Sequence, residues 1–252
     1  MSNASRTSST VATALQVLRL LADKPGGMGI SEVARALEIG KSKAHLLLAT
    51  LLEQDFVERT ADSTYRLGLT AFEVGSAVSD AARFGGDLIV PMRTLADLSG
   101  EAVSLAVPRN REAIMIQRFE TQHVLRAEIR VGTRMPLLSC ASGKFLLAYM
   151  TEEQVDSLYP HEALPLVTTH SIRTRSQLKA VFPEIRERGY ALNDEEYAEG
   201  IGGIASGVAD GTGQYVAALS VAGPSVRFRA EQWIEPLAEA AQKMTELLSG
   251  RH

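Results

Sequence analysis

Lys41-Ser42-Lys43 opens a stretch in which Ala44, Leu47, Leu48 and Leu51 recur at three- and four-residue steps. That spacing predicts a helix with one buried stripe, leaving Ser42, Lys43, His45, Leu46 and Ala49 largely on its other faces. Two ammonium groups, a hydroxyl and the free N–H groups of a first helical turn suit a phosphate, and the positive helix end favours the anion further. His45, Leu46 and Ala49 are suited to base edges or thymine methyls. The chemistry expected is reading of double-stranded DNA. The same residues also fit a small helical bundle whose charges only solvate its surface.

A second group is Ser139-Cys140-Ala141-Ser142-Gly143, which runs into the apolar segment Lys144 to Met150. Its small residues expose backbone N–H groups at a helix N-terminus, a site suited to a carboxylate. Ser142 serves equally well as a plain helix cap.

Enzymatic readings find little support. Gly200-Ile201-Gly202-Gly203-Ile204-Ala205 fits the dinucleotide pattern but follows the acidic stretch Asp194 to Glu199 instead of a hydrophobic strand, so a glycine-rich turn is expected. Cys140, the single cysteine, has no activating partner visible in the sequence. No Gly-x-Ser-x-Gly elbow is present. His45, His123, His161, His170 and His252 lack metal-ligand spacing, so neither metal nor cofactor is expected. Glu195-Glu196 lacks a second component for acid/base work and reads as capping or pocket lining. No catalytic residue is assigned; the competing readings are a hydrolase with a non-functional helix-turn-helix and a small-molecule-binding oligomeric adaptor.

The elements that must position these residues follow from periodicity. Val11, Ala14, Leu15, Leu18, Leu21 and Ala22 predict a helix that stops at Asp23-Lys24-Pro25-Gly26-Gly27. Ser31 is expected to cap a short second helix carrying Val33, Ala34 and Leu37, and Glu38-Ile39-Gly40 turns the chain into the helix at Lys41. Phe56 to Arg59 and Tyr65 to Leu67 predict a hairpin around Ala61 to Thr64, flanked by Arg59 and Arg66. Two helices joined by a short turn and followed by a hairpin is a winged helix-turn-helix, whose second helix enters the major groove. Residues 69 to 83 are expected to be helical and to link or dimerise.

Beyond Phe84-Gly85-Gly86 a helix is expected from Asp87 to Ser99, with Gly100 at its C-terminal cap. Strand-like runs follow at 102 to 107, 113 to 118, 124 to 130, 190 to 193, 204 to 209 and 215 to 221. Helices from Ser142 to Met150, after Thr151-x-x-Gln154, and from Thr174-x-x-Gln177 to Gly189 interrupt them. The fold expected is α+β: a winged helix-turn-helix over 8–68, a linker helix over 69–85, and an α/β domain over 86–250 around a mainly antiparallel sheet.

The chain has 252 residues, 45% hydrophobic and 22% charged, a globular composition. No apolar run is long enough to span a membrane, and Met1 to Arg6 is polar, so a cytoplasmic location is expected. Residues 1 to 68 carry eight Lys/Arg against seven Asp/Glu, a net +1, which leaves -5 on the rest of a chain of net charge -4. DNA is therefore expected on the N-terminal part.

These motifs together resemble the isocitrate lyase regulator (IclR) family. The resemblance is carried by Gly29 to Leu37, Lys41 to Leu51 and Tyr65 to Gly68, then by Val131 to Leu137, Ala141 to Lys144, Gly189 to Ala191 with Glu195-Glu196 and Gly200, and Ala218 to Pro224. It spans about residues 10 to 248 and implies a GAF-like effector domain in which a small organic acid, often aromatic, alters binding to a pseudo-palindromic operator. It further implies action as a homodimer or a dimer of dimers. On this reading Ser31, Lys41, Ser42, Lys43, His45, Leu46, Ala49, Arg59 and Arg66 meet DNA. Ala141, Ser142, Gly143, Asn193, Gly203, Ser220 and Ala222 line the effector pocket. Relatives often have Thr at 43, Arg at 46 and an acid at 193, where this chain has Lys, Leu and Asn. The first two departures bear on which operator is read. Short apolar residues at 203 and 222 point to a roomier, more apolar pocket and an aromatic or bulky acid.

Overall fold

The computed structural model describes residues 7–78, 84–121, 123 and 129–250. The chain divides into two compact units, Met1–Ala82 and Arg83–His252.

The first unit carries α1 (Ser9–Ala22), α2 (Ile30–Ala36), α3 (Lys41–Glu53), β1 (Val57–Arg59), β2 (Tyr65–Leu67) and α4 (Leu69–Ser76). Leu21 of α1, Val33 of α2, and Ala44, Leu47 and Leu48 of α3 are buried as the periodicity predicts, together with Val57, but α1 turns Val17 inward while the expected Val11 and Leu15 stand exposed. Ser31 does not cap α2. Gly29 holds that position, its N–H donating to the Glu32 carboxylate at 2.7 Å, and Ser31 stands exposed one residue inside the helix. Glu38, with φ 53°, makes the left-handed step between α2 and α3. β1 and β2 pair antiparallel, and Met28 exchanges backbone hydrogen bonds of 2.9 and 2.8 Å with Tyr65 to widen the wing. At Gly68 a Cβ would lie 2.3 Å from the Asp55 carbonyl oxygen, so only glycine lets the chain leave the wing there. Of the expected linker helix, residues 69–76 are helical, and 79–83 lie outside the described residues.

The second unit is built on a six-stranded sheet in the order β5-β4-β3-β8-β7-β6, every described pairing antiparallel. Its strands are β3 (Ala102–Arg109), β4 (Glu112–Phe119), β5 (Arg134–Pro136), β6 (Ala191–Asp194), β7 (Ile201–Ala209) and β8 (Tyr215–Pro224). One face packs against α5 (Ile89–Ser99) and α10 (Ile234–Ser249), where Met92, Leu95, Leu237 and Met244 meet Val103, Leu105 and Leu219. The other face carries α6 (Ala141–Ala148), α7 (Glu152–Leu158), α8 (Arg175–Ala180) and α9 (Phe182–Arg188) over Ala106, Ala113 and Met115. Every residue of α6 is buried, Ser142 and Lys144 among them.

Several expectations change here. The glycine-rich stretch expected as a turn is instead the start of β7: Gly202 and Gly203 pair with Asp194 and Asn193 on one side and with Gly223 and Ala222 on the other. The turn is the preceding 195–200 segment, ending at Gly200 with φ 77°. The single helix expected from Thr174 to Gly189 is broken into α8 and α9, because Pro183 lacks an N–H and its ring excludes the preceding turn from a continuous helix. The Thr151/Gln154 capping box forms in full, whereas Gln177 accepts from the Arg173 N–H rather than from Thr174. Gly100, at φ 63°, ends α5 as expected. Of the run 124–130, residues 124–128 lie outside the described residues, and Ile129 and Arg130 belong to no strand. Helix α10 and strand β5 have no counterpart among the expected elements.

Gly143 is a packing position. A Cβ there would lie 2.2 Å from the Leu137 carbonyl oxygen and 2.4 Å from its Cα, so α6 presses directly on the turn before it. Gly143→Ala is expected to destabilise the second unit by about 1–3 kcal/mol through overpacking, read as a lower urea midpoint with unchanged slope. An unchanged midpoint would show that α6 can shift at no cost.

Candidate functional site

In the first unit, α3 begins at Lys41 behind Gly40, and no side chain caps its first N–H groups. Lys41, Ser42, Lys43, His45, Leu46 and Ala49 are all exposed, Leu46 at 66% despite its apolar side chain. A basic first turn, open N–H groups and an uncovered leucine thus share one helix end with nothing in their own unit covering them. On the wing, Arg66 donates from Nε to Glu58 Oε1 at 2.5 Å, in register across the β1–β2 pair. The Arg59 guanidinium lies 5.9 Å from the centre of the Tyr65 ring. Both arginines are exposed, and Arg66 already has a carboxylate partner in Glu58.

In the second unit, the N-terminal end of α6 opens on a small, partly open cavity. Ala141, Ser142, Asn193, Gly203, Ser220 and Ala222 all line it, so the structure brings together six of the seven positions expected there. The seventh, Gly143, is spent on Leu137 as described. Ser142 is not the helix cap: Cys140 occupies that position, and no side chain bonds the first turn. Asn193 closes the β6–β7 connection, its amide donating to the Ile201 carbonyl at 3.2 Å and accepting from the Glu196 N–H at 3.1 Å. Ser220 donates to the Ser104 carbonyl at 3.3 Å and keeps its lone pairs. A Cβ at 203 would come within 3.3 Å of the Val221 carbonyl oxygen, so glycine gives this wall its depth.

Beneath the cavity, Lys144 of α6 and Glu196 form a buried ion pair that ties the helix to the 195–200 turn. Burial raises the Glu196 carboxyl above its ordinary range, with the Lys144 charge opposing. Glu195, φ 59°, instead accepts from the Gly200 N–H at 2.9 Å and the Ser225 hydroxyl at 2.6 Å, the capping role expected of it. Burial pushes the Cys140 thiol up to about 11, so it is no ready nucleophile. Among the described residues no cluster of His, Cys, Asp and Glu could hold a metal, and no helix is long and apolar enough to cross a membrane. The sequence reading misses the rest of the lining, Arg118 and Ser104 above all. Their only signal is a polar residue inside an apolar strand run.

A helix-turn-helix with an uncovered basic end to its second helix, and an antiparallel α/β unit holding a small cavity, are the parts of a DNA-binding transcription regulator. The comparisons agree. Residues 10–61 match the IclR helix-turn-helix domain and residues 88–249 the bacterial transcriptional regulator IclR C-terminal domain, so the chain belongs to the IclR family. It is 29% identical to the transcriptional repressor IclR of Escherichia coli K12, over 94% of this chain and 88% of that one. It is 30% identical to the HTH-type transcriptional repressor AllR of the same strain, over 87% and 82%. Among solved structures, the Thermotoga maritima IclR matches with TM-score 0.75 at 27% identity, covering 95% of this chain and 98% of that one. An IclR homologue from Microbacterium hydrocarbonoxydans, solved with 4-hydroxybenzoate, matches with TM-score 0.85 at 24% identity, covering 95% and 99%.

Proposed function

We propose that this chain binds a pseudo-palindromic operator through Lys41, Ser42, Lys43, His45, Leu46 and Ala49, aided by Ser31, Arg59 and Arg66, and that a small organic acid in the second unit modulates that binding. The observation that carries the reading is the cavity at the N-terminal end of α6, where Ser142, Asn193 and Ser220 share a wall with apolar Met115, Ile129, Met135 and Val221. Such an end favours a carboxylate, and the apolar wall favours a ring or alkyl body. The 4-hydroxybenzoate held by the Microbacterium homologue is an acid of that kind. Modulation needs only that the acid bind the DNA-competent and DNA-incompetent conformations with different affinity, which leaves release and retention equally open as its sign.

The test is selection of genomic fragments bound by the full chain, with and without a panel of organic acids. Fragments released or retained by an acid support the reading, and a bound set indifferent to every acid overturns the effector part. Filling the cavity with Ala222→Leu is expected to abolish the response to acids while operator affinity stays within about twofold. A variant that still responds fully would place the effector elsewhere.

Self-association is part of the proposal. Leu69, Phe72, Val74 and Val78, on and just after α4, stand 52–71% exposed in their unit, as do Val11 and Leu15 of α1 at 57% and 52%. Large apolar groups so open to water call for a partner surface, and a second copy of the same helix supplies one. Light scattering that returned a monomer at micromolar concentration would overturn this.

A further inference from the structure

Arg118 lies where a charged side chain needs a reason. It is in β4, and its side chain is 4% exposed. A strand alternates its side chains, so Met115 and Arg118, three apart, would ordinarily face opposite ways. The register shift between Leu105 and Ala106 skips Ile116, pairing Gln117 with Leu105 and Met115 with Ala106. That extra residue turns both Met115 and Arg118 into the cavity. The bulge therefore delivers a buried guanidinium to the proposed effector site.

Its place within the site is specific. A second, smaller void adjoins the first and shares Arg118, Ile129, Ile201 and Ala222 with it. Cys140, Ala141 and Ser142 line only the first. Arg118 thus lines both voids while the α6 end reaches only the first, where apolar Met115, Met135 and Val221 also stand on the wall. Among the described residues its partners are the Ser104 hydroxyl, 2.9 Å from Nη1, and Glu120, whose carboxylate oxygens lie 2.6 Å from Nε and 3.4 Å from Nη2. Glu120 is 44% exposed and sits at the solvent end of the contact. The nearby Glu101 is already held by Arg227 at 2.7 and 2.9 Å, and Glu196 by Lys144. A guanidinium has five N–H donors, so Arg118 keeps donors beyond those its partners use.

We propose that Arg118 anchors a second acidic group of the effector, so that the preferred ligand is a compact diacid with an apolar body: one carboxylate at the α6 end, the other on Arg118. Glu120 holds the guanidinium in the absence of ligand and yields to the incoming anion. A buried guanidinium favours a fork of charge-assisted hydrogen bonds to a carboxylate over any neutral group. The inference rests on the cavity being the effector site.

The experiment is calorimetric titration of the full chain with matched pairs: terephthalate against benzoate and 4-hydroxybenzoate, and adipate against hexanoate. The expected result is that at least one diacid binds about tenfold or more tightly than its monoacid. Arg118→Met removes that preference, so that a diacid and its matched monoacid bind the variant with affinities within about twofold of each other. Glu120→Gln, which touches only the exposed end of the contact, raises diacid affinity severalfold; it tests the same point should Arg118→Met fail to fold. Equal binding of both classes by wild type, or an unaltered preference in either variant, overturns the role of Arg118 and leaves an acid-binding cavity standing. Binding of none of these acids overturns both.

Discussion

Lys43→Glu is expected to weaken binding to the protein's own operator by about a hundred- to a thousandfold while leaving both units folded. Lys43 is exposed in the first turn of α3 and has no share in the core, so its replacement removes no packing. A unit charge near a phosphate is worth about 1 kcal/mol in water at 4 Å, the reversal changes two charge units, and the proposed dimer would present the change twice. The sum of about 4 kcal/mol sets the upper end, and screening by salt lowers it. The loss is measured by titrating selected operator fragments at several salt concentrations. The slope of log affinity against log salt should also fall by about 0.9 for each phosphate that is no longer neutralised. Lys43→Gln, which deletes the charge without reversing it, should lose about half as much free energy. Wild-type affinity in Lys43→Glu with an intact circular dichroism spectrum would remove α3 as the reading helix.

The second large effect is on stability. Lys144 and Glu196 are both buried, with side chains 9% and 11% exposed, and each is the other's charge partner. Glu196→Leu leaves an ammonium inside α6, a helix with no other charged residue, at an expected cost of about 3–5 kcal/mol. For a unit of this size that lowers Tm by on the order of 10 °C. The double variant Lys144→Met/Glu196→Leu removes both charges and should recover most of the loss, because a buried pair replaced by apolar groups of similar volume is close to neutral. Calorimetry of the three chains separates the cases. If Glu196→Leu alone costs less than about 1 kcal/mol, water reaches Lys144 and the pair does not fasten α6 to the 195–200 turn.

The pair also explains why the cavity keeps its form. Asn193 and Glu196 sit three residues apart in one connection, Asn193 lining the cavity and Glu196 gripping the helix whose first turn forms another wall. Loss of the grip is expected to loosen both walls together, so the Glu196→Leu chain should bind acids weakly even at temperatures where it remains folded.

How much of this was legible in the sequence depended on the range of the interactions. The three- and four-residue spacing of Ala44, Leu47, Leu48 and Leu51 determined which face of α3 would be buried and hence that Lys41, Lys43 and Leu46 would stand out, because helix geometry is fixed within a few residues. The wing hairpin and the Thr151 capping box were readable for the same reason. The spacing of Leu237, Ala241, Met244 and Leu248 carried an equal signal for α10 that strand runs and caps alone do not register. Tertiary structure decided the rest. Glycines at 202 and 203 suit a turn locally, but pairing on both sides holds them extended in β7. Arg118 at the end of an apolar run gave no hint of facing inward, since its direction is set by a bulge opposite Leu105 and Ala106, and a single extra residue reverses a strand's faces. Ser104, Arg118, Ser142, Asn193 and Ser220 become one site only when the sheet closes over α6, because proximity between such distant positions is a property of strand order and register, which no local pattern of residues encodes.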